Sequence, residues 1–299
     1  MSKPQLDVAI AILLHQDKVL VGWRKAKQHQ GNKHEFPGGK VEEGETPEQA
    51  CRREIFEEVG IGLHEWNKFD FIQHEYEDVI VRLHLFHAVV PTALLNEIQQ
   101  PWAWYTRSQL LELNFPQANR SMIQRLYWAE QIKIGKTLPM LENFNPELLY
   151  YWRVEATDEN AQALNQLPTV LLQQMIINVE LWRKLTPEVQ RHISAIHLKQ
   201  NQLMQCQAED LTLGCRYLAA CHDVVSAQHA QKIGCDAILL SPVLPTDTHP
   251  NDVTLGWEKF EQIAQSLDIP VFALGGMQKK LFAIAKQHGA YGIAGIRHI

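Results

Sequence analysis

The sequence predicts two α/β domains in succession: a mixed α+β domain over residues 1–133 and a barrel of parallel βα units over residues 148–299, joined by a linker at 134–147. Three observations lead there. Residues 6–14 and 19–23 are apolar runs on either side of His15-Gln16-Asp17-Lys18, which reads as a strand pair closed by a tight turn. Residues 79–90 set Val79, Val81, Leu83 and Leu85 against Ile80, Arg82 and His84, the period of a half-buried strand. From residue 148 onward short apolar strands recur between helical stretches, the pattern of parallel βα units.

The remaining elements follow in order. Residues 69–75 are a further strand of the first domain, and 121–132 carry a helical pattern that closes it. Residues 135–146, GKTLPMLENFNP, are rich in turn formers and read as the linker. Strand candidates of the second domain are 149–154, 169–172, 195–198, 217–220, 237–240, 271–274 and 291–296, with helices at 224–233, 257–267 and 278–288. Seven candidates where a full barrel has eight predict a TIM-like barrel, complete or one strand short.

Composition narrows the function class. With 299 residues, 45% hydrophobic and 21% charged, the chain belongs with soluble globular proteins of two domains. A net charge of −6 gives no general basic surface and disfavours nucleic-acid polymers as partners, while a small nucleotide held through metal remains compatible. No run reaches the ~20 apolar residues of a membrane span, and the start of the chain lacks a leader pattern. Cys51, Cys206, Cys215, Cys221 and Cys235 are odd in number and show no CxxC spacing. Reduced thiols and a cytoplasmic location are therefore expected, with no membrane partner. None of these patterns specifies an oligomeric state.

Chemistry concentrates at residues 38–61, GGKVEEGETPEQACRREIFEEVGI, which hold seven glutamates and two arginines. Thr46, Pro47 and Gln49 form a capping box with proline at the first helical position, so a helix starts at Pro47. Gly60 is placed to end it in a left-handed conformation. Glu54, Glu57 and Glu58 then fall within an arc of roughly 100°, and Cys51, Ile55 and Val59 form an adjoining apolar stripe. Like charges at this spacing cost a few tenths of a kcal/mol per pair, roughly. A hard, oxygen-seeking cation removes that cost, and Mg²⁺ bound through carboxylates and substrate phosphates fits, with Mn²⁺ as the alternative ion. Arg53 can hold a neighbouring carboxylate bidentately. A solvated charged face explains the charge but not Gly38-Gly39, whose backbone can approach a metal or phosphate closely.

The stretch resembles the Nudix box at every one of its 23 positions, 39–61. That resemblance implies an α/β/α sandwich and a hydrolase that cleaves a nucleoside diphosphate linked to another group. Within it, residues 6–126 are similar to the MutT-type 8-oxo-dGTP diphosphatases, on EFPGGKVEEGETPEQA (35–50) and Phe115-Pro116-Gln117-Ala118-Asn119. The resemblance implies Mg²⁺ held by Glu54, Glu57, Glu58 and the Gly39 carbonyl. It places Arg53 among the catalytic residues and makes Glu54 the first choice of proton acceptor. It also implies a nucleotide site lined by Arg24, His29, Phe36 and Lys40, with Asn119 reading the oxidised guanine edge. An asparagine offers both donor and acceptor, which suits a purine edge; the plainer reading has it cap the helix after it. Two departures bear on the substrate: Ala103 stands where the family often has a glutamate before Trp104, and an arginine expected near Val79 is missing, with Arg82 as its candidate replacement.

The second half resembles thiamine phosphate synthase on Ala195-Ile196-His197-Leu198, Cys221-His222, residues 241–248 (SPVLPTDT), residues 273–277 (ALGGM) and residues 292–296 (GIAGI). That family has a Gln-Leu-Arg-x-Lys run on its second strand, placed here at 170–177, where no Lys or Arg occurs. Its Asn-Asp metal pair has no visible counterpart. The aspartate after His197 is replaced around Asn201-Gln202, and a lysine is replaced by His249. The expectation is a domain that does not make thiamine phosphate. Gly275, Gly276 and Gly295 end the last strands, where barrels often form a phosphate site from backbone N–H groups; tight βα turns are the equal alternative. The functional expectation is therefore Mg²⁺-dependent hydrolysis of 8-oxo-dGTP to 8-oxo-dGMP and pyrophosphate, in nucleotide-pool sanitation and mutation avoidance. The alternatives are another diphosphate substrate, including a thiamine-related one, a bifunctional protein that does make thiamine phosphate, or a ligand-binding second domain.

Overall fold

The chain turns first between β1 (Gln5–His15) and β2 (Lys18–Arg24), where Gln16 and Asp17 take φ of 45° and 64°. Positive φ at both central residues matches the twist of a two-residue hairpin, and the short polar side chain of Asp17 tolerates it. The computed structural model describes residues 3–24, 26, 31–246, 253–297 and 299. It divides into two compact units, Met1–Trp128 with Thr212–Gly214, and Ala129–Leu211 with Cys215–Ile299.

In the first unit β3 (Lys33–Glu35), β4 (Gly38–Lys40), α1 (Pro47–Val59), β5 (Asn67–Glu75), β6 (Ile80–Val89), β7 (Ala103–Thr106) and α2 (Arg120–Leu126) follow. They form a seven-stranded sheet in the order β3-β2-β1-β6-β5, with β4 paired to β1 and β7 to β2. The long β1 runs parallel to β6 and antiparallel to β2. Ala9, Ala11 and Leu13 alternate onto one face, where with Phe86 and Ala88 they pack against Ala50, Cys51, Ile55 and Val59 of α1. The apolar stripe expected on that helix is its buried face.

The second unit is a closed barrel in the order β10-β11-β12-β13-β14-β15-β8-β9, every pairing parallel. Its strands are β8 (Gln131–Gly135), β9 (Leu148–Trp152), β10 (Met175–Asn178), β11 (Ala195–Leu198), β12 (Tyr217–Cys221), β13 (Ala237–Leu240), β14 (Val271–Leu274) and β15 (Gly292–Gly295). Between them lie α3 (Asp158–Asn165), α4 (Thr169–Leu172), α5 (Val179–Trp182), α6 (Pro187–Gln190), α7 (Gln200–Leu203), α8 (Val224–Ile233), α9 (Gly256–Gln265) and α10 (Phe282–Gln287). No helix of the described residues is long and apolar enough to cross a membrane.

Three expectations are corrected. The barrel closes with eight strands, and the one missing from the seven candidates is Gln131–Gly135, so the helix expected over 121–132 stops at Leu126 and the linker expected at 134–147 begins inside β8. QIKIG hides this by burying only Ile132 and Ile134, too short a signal to read as a core strand. Residues 169–172 are helix α4, and the strand is the next apolar run, Met175–Asn178. Pro168 starts the turn with its fixed φ, and a four-residue apolar run fits a buried helical turn as well as a strand.

Candidate active site

Local signals set α1. Thr46 Oγ1 accepts from Gln49 N while the Gln49 side chain accepts from Thr46 N, Pro47 fills the first turn, and Gly60 ends the helix at φ 88° with its N–H on Ile55 O. Trp102 anchors the far end: its indole N–H donates to Glu58 O at 2.9 Å, and its ring lies where a Cβ on Gly22 would come within 2.5 Å. The strand β4 runs beside β1, with Ala9 opposite Gly39. A Cβ on Gly39 would meet Glu54 Oε1 at 2.1 Å, and Gly38 takes φ 145° with no room beside Ala9 O. The glycines thus bring backbone against the acidic face of α1.

Arg53 organises that face. Its Nε and Nη2 donate to Glu45 Oε1 and Oε2 at 2.8 and 3.0 Å, Nη2 also to Lys40 O at 3.1 Å, and Nη1 to Glu54 at 2.9 Å and Glu57 at 3.3 Å. The hydrogen bonds to Glu45 and then Glu54 raise the guanidinium's basicity further, and the Arg53 bond holds Glu45 below the usual carboxylate range. Glu58 stands apart from this fork and accepts Gly38 N–H at 3.2 Å. Burial, with the negative charges of Glu54 and Glu35, pushes it up to about 7 against the opposing effects of Gly38 N–H and Arg24. Glu58 also keeps exposed surface, and solvent there tempers the rise.

The predicted metal residues meet on one surface but not as a ready ligand set. Among the described residues no group of three or more His, Cys, Asp and Glu side chains is arranged to hold a metal ion. Arg53 pairs with both Glu54 and Glu57 on that surface. In kind the residues do fit a hard divalent ion. The donors are all oxygen, the Glu54 carboxylate lies against the Gly39 backbone, and the raised Glu58 registers negative charge that a cation would offset.

Phe36, expected in the nucleoside pocket, is 4% exposed and stacks on Phe115 with ring centroids 4.9 Å apart and planes at 18°. Asn119, four residues on, is 7% exposed. It stands at the start of α2 with no side-chain cap bond, so the plainer capping role is not the one it plays. Arg24 donates from Nε to Glu35 Oε2 at 2.7 Å beside Glu58. Glu35 was not singled out from sequence, because the pairing of β2 with β3 that faces it to Arg24 is non-local. Lys40 is exposed on β4, and His29 lies outside the described residues. Arg82 does not replace the missing arginine: it is paired with Asp7, which also accepts from His84 at 2.8 Å, on the strand side that carries Phe86 to α1. Ala103 sits in β7 opposite Val21 and supplies no carboxylate.

In the barrel, Gly275 and Gly276 take φ of 97° and 68°, and a Cβ on either would come within 2.9 Å of Pro242 or Leu244. The turn itself therefore demands them, while with Gly295 they also line a cavity of about 200 Å³ beside Thr246 and Ile296. With β8 as the first strand, the second is β9, not residues 170–177. It ends Tyr151-Trp152 and runs on as Arg153-Val154-Glu155, so an arginine does follow the second strand. The third strand ends on Asn178 followed by Val179, so no Asn-Asp pair stands at its end. His249 lies outside the described residues.

The NUDIX domain family matches residues 3–126, and the thiamine monophosphate synthase family matches residues 173–299. The 8-oxo-dGTP diphosphatase of Escherichia coli (strain K12) is 34% identical over 131 residues, covering 41% of this chain and 96% of that protein. That of Proteus vulgaris is 38% identical over 87 residues, covering 29% of this chain and 78% of that protein. The thiamine-phosphate synthase of Prochlorococcus marinus subsp. pastoris is 43% identical over 65 residues, covering 22% of this chain, and the chain spans only 18% of that protein's length. With a capped acidic helix organised by one arginine and near full-length likeness to a diphosphatase, the chain belongs to the Nudix hydrolases, enzymes acting on phosphoric anhydrides, and carries behind that domain a second of the thiamine monophosphate synthase type.

Proposed function

We propose that the first domain hydrolyses an oxidised purine nucleoside triphosphate of the 8-oxo-dGTP type to its monophosphate and pyrophosphate, as a nucleotide-pool sanitiser. The observation that carries this is Asn119: a buried amide, committed to no cap bond, in the same short segment as the Phe36–Phe115 stack. An amide committed to no cap bond offers both a donor and an acceptor, and a purine edge offers the matching pair. Glu54, Glu57, Glu58 and the Gly39 carbonyl would hold Mg²⁺ or Mn²⁺, which when bound neutralises phosphate charge and acidifies water. Arg53 orients Glu54 and Glu57 from one guanidinium, so both carboxylates keep fixed positions on the substrate side of α1. Glu54, against Gly39, takes the proton of the attacking water, and Arg24 and Lys40 offset charge that builds on the phosphates.

A second reading, a different diphosphate substrate, is favoured by Ala103 and by the engagement of Arg82 with Asp7, since both remove groups from the base end and neither touches α1. One experiment separates the two. Hydrolysis of 8-oxo-dGTP, dGTP and thiamine diphosphate is measured with Mg²⁺ for wild type, Glu57→Gln, Glu58→Gln and Asn119→Ala. The carboxylate variants are expected to lose at least about a hundredfold in kcat, and Asn119→Ala to lose about tenfold or more in preference for the oxidised base. Full activity in both carboxylate variants sinks the metal assignment; unchanged discrimination in Asn119→Ala sinks the base assignment. For the barrel we infer no thiamine phosphate synthesis, supported by Val179 and Glu155 where the family carries an aspartate and a lysine. Incubation of the chain with the pyrimidine diphosphate and thiazole phosphate substrates checks this.

A further inference from the structure

The acidic face of α1 is held by two different devices. Arg53 fixes Glu45, Glu54 and Glu57 from one guanidinium. Glu58 takes no bond from it; among the described residues its carboxylate accepts a single hydrogen bond, from Gly38 N–H at 3.2 Å. Where that carboxylate points therefore depends on the backbone that carries it. Glu58 stands in the last turn of the helix, whose final carbonyls have no partner within the helix. That turn has no basic residue to supply one. A helix end left in this state frays and opens at little cost.

The missing partners come from the segment 99–102. Trp102 Nε1–H donates to Glu58 O at 2.9 Å across 44 residues of chain, and Gln99 N–H donates to Val59 O at 3.0 Å. Gly60 N–H closes on Ile55 O at 3.2 Å. The donors are themselves fixed. Trp102 N–H returns to Gln99 O at 3.4 Å, and the side chain, 8% exposed, packs in one core with Leu20, Ile55 and Val59. Its benzo ring lies on Gly22, where a Cβ would meet Cζ3 at 2.5 Å and Cε3 at 2.7 Å. Gly22 precedes by two residues Arg24 of β2, which pairs with Glu35 beside Glu58. A side chain that is buried, bonded and wedged between helix and sheet is a rigid support, and the carbonyl it holds belongs to the one acidic residue of the three that Arg53 does not hold.

We propose that Trp102 is a positioning residue for the metal-holding face. Through Glu58 O it keeps the last turn of α1 closed, and so keeps Glu58 in place relative to Glu54 and Glu57, which Arg53 holds. The role rests on the reading that these carboxylates hold a divalent ion. An ion that demands near-ideal oxygen geometry gains from carboxylates already in place, and the support behind its ligands governs its affinity. Trp102 touches neither ion nor substrate in this role.

The test is Mn²⁺ binding to the full chain without nucleotide, followed by loss of the free-ion signal in electron paramagnetic resonance. The proteins are wild type, Trp102→Phe, Gly22→Ala, Thr46→Ala and Glu57→Gln. Trp102→Phe keeps an aromatic ring on Gly22 and removes the N–H, and its affinity for Mn²⁺ should fall about tenfold. Gly22→Ala keeps the indole but displaces it, and should lower affinity in the same direction. Thr46→Ala loosens the other end of the same helix, so it should lose stability yet keep wild-type affinity, which separates positioning from general destabilisation. Glu57→Gln removes a ligand and should bind weakly or not at all. A Trp102→Phe protein that binds Mn²⁺ as wild type does, or a Thr46→Ala protein that loses as much affinity as Trp102→Phe, overturns the role of Trp102 and leaves the metal reading in place. Unchanged binding in Glu57→Gln overturns the metal reading and the role of Trp102 with it.

Discussion

Arg53 and Glu58 show how single residues divide the work of the acidic face. Arg53 satisfies three carboxylates and one carbonyl from one planar fork, which lysine could not reproduce. Glu58 is left outside the fork and carries the electrostatic strain. Its folded pKa, pushed up to about 7, lies above the ordinary value of 4.5, so the folded state holds its proton longer than the unfolded one. Stability of the metal-free protein should then fall as pH rises from about 4.5 to about 7, where the unfolded carboxyl is ionised and the folded one resists it. Solvent at the exposed part of the side chain screens some of this. Thermal melts in chelator at acid and neutral pH check it: wild type should lose more stability on the way up than Glu58→Gln. Equal pH dependence in the two proteins would rule out Glu58 as the source.

At the scale of the element, α1 was the most legible part of the chain because its signals are local. The capping box, Pro47, Gly60 and the buried stripe Cys51, Ile55 and Val59 are all read within fifteen residues and all recur in the structure. Thr46→Ala removes the cap to Gln49 N–H and should cost about 1 kcal/mol. Chemical denaturation should show that loss, with Thr46→Ser restoring most of it; a Thr46→Ala variant as stable as wild type would deny the cap its role. Residues 131–135 and 169–178 were misread for the opposite reason. Strands of four or five residues in a parallel barrel owe their state to neighbours on both sides, and Thr169–Leu172 differs from Met175–Asn178 mainly in following a proline.

For the whole molecule the decisive matter is closure. β8 pairs with β15 on one side and β9 on the other, and it buries Ile132 and Ile134 completely or nearly so. A fragment starting at residue 148 leaves two strand edges open and loses both isoleucines, each worth about 2–5 kcal/mol on truncation, against a domain stability of about 5–15 kcal/mol. Residues 129–299 should therefore melt cooperatively while 148–299 should not, as followed by circular dichroism. Cooperative melting of the shorter piece would place the domain boundary where the sequence pattern put it.

The sequence by itself determined the catalytic helix, its caps, its acidic face and the two-domain order, since each is written in spacings of one to four residues or in a continuous motif. It also carried Phe36 and Asn119 on their motif. Only the tertiary structure decided the pairing of Arg24 with Glu35, the engagement of Arg82 by Asp7, and the barrel register that puts Arg153 and Asn178 at strand ends. Each depends on which strands lie side by side, and that choice is made by burial across long separations in the chain, which no local spacing records.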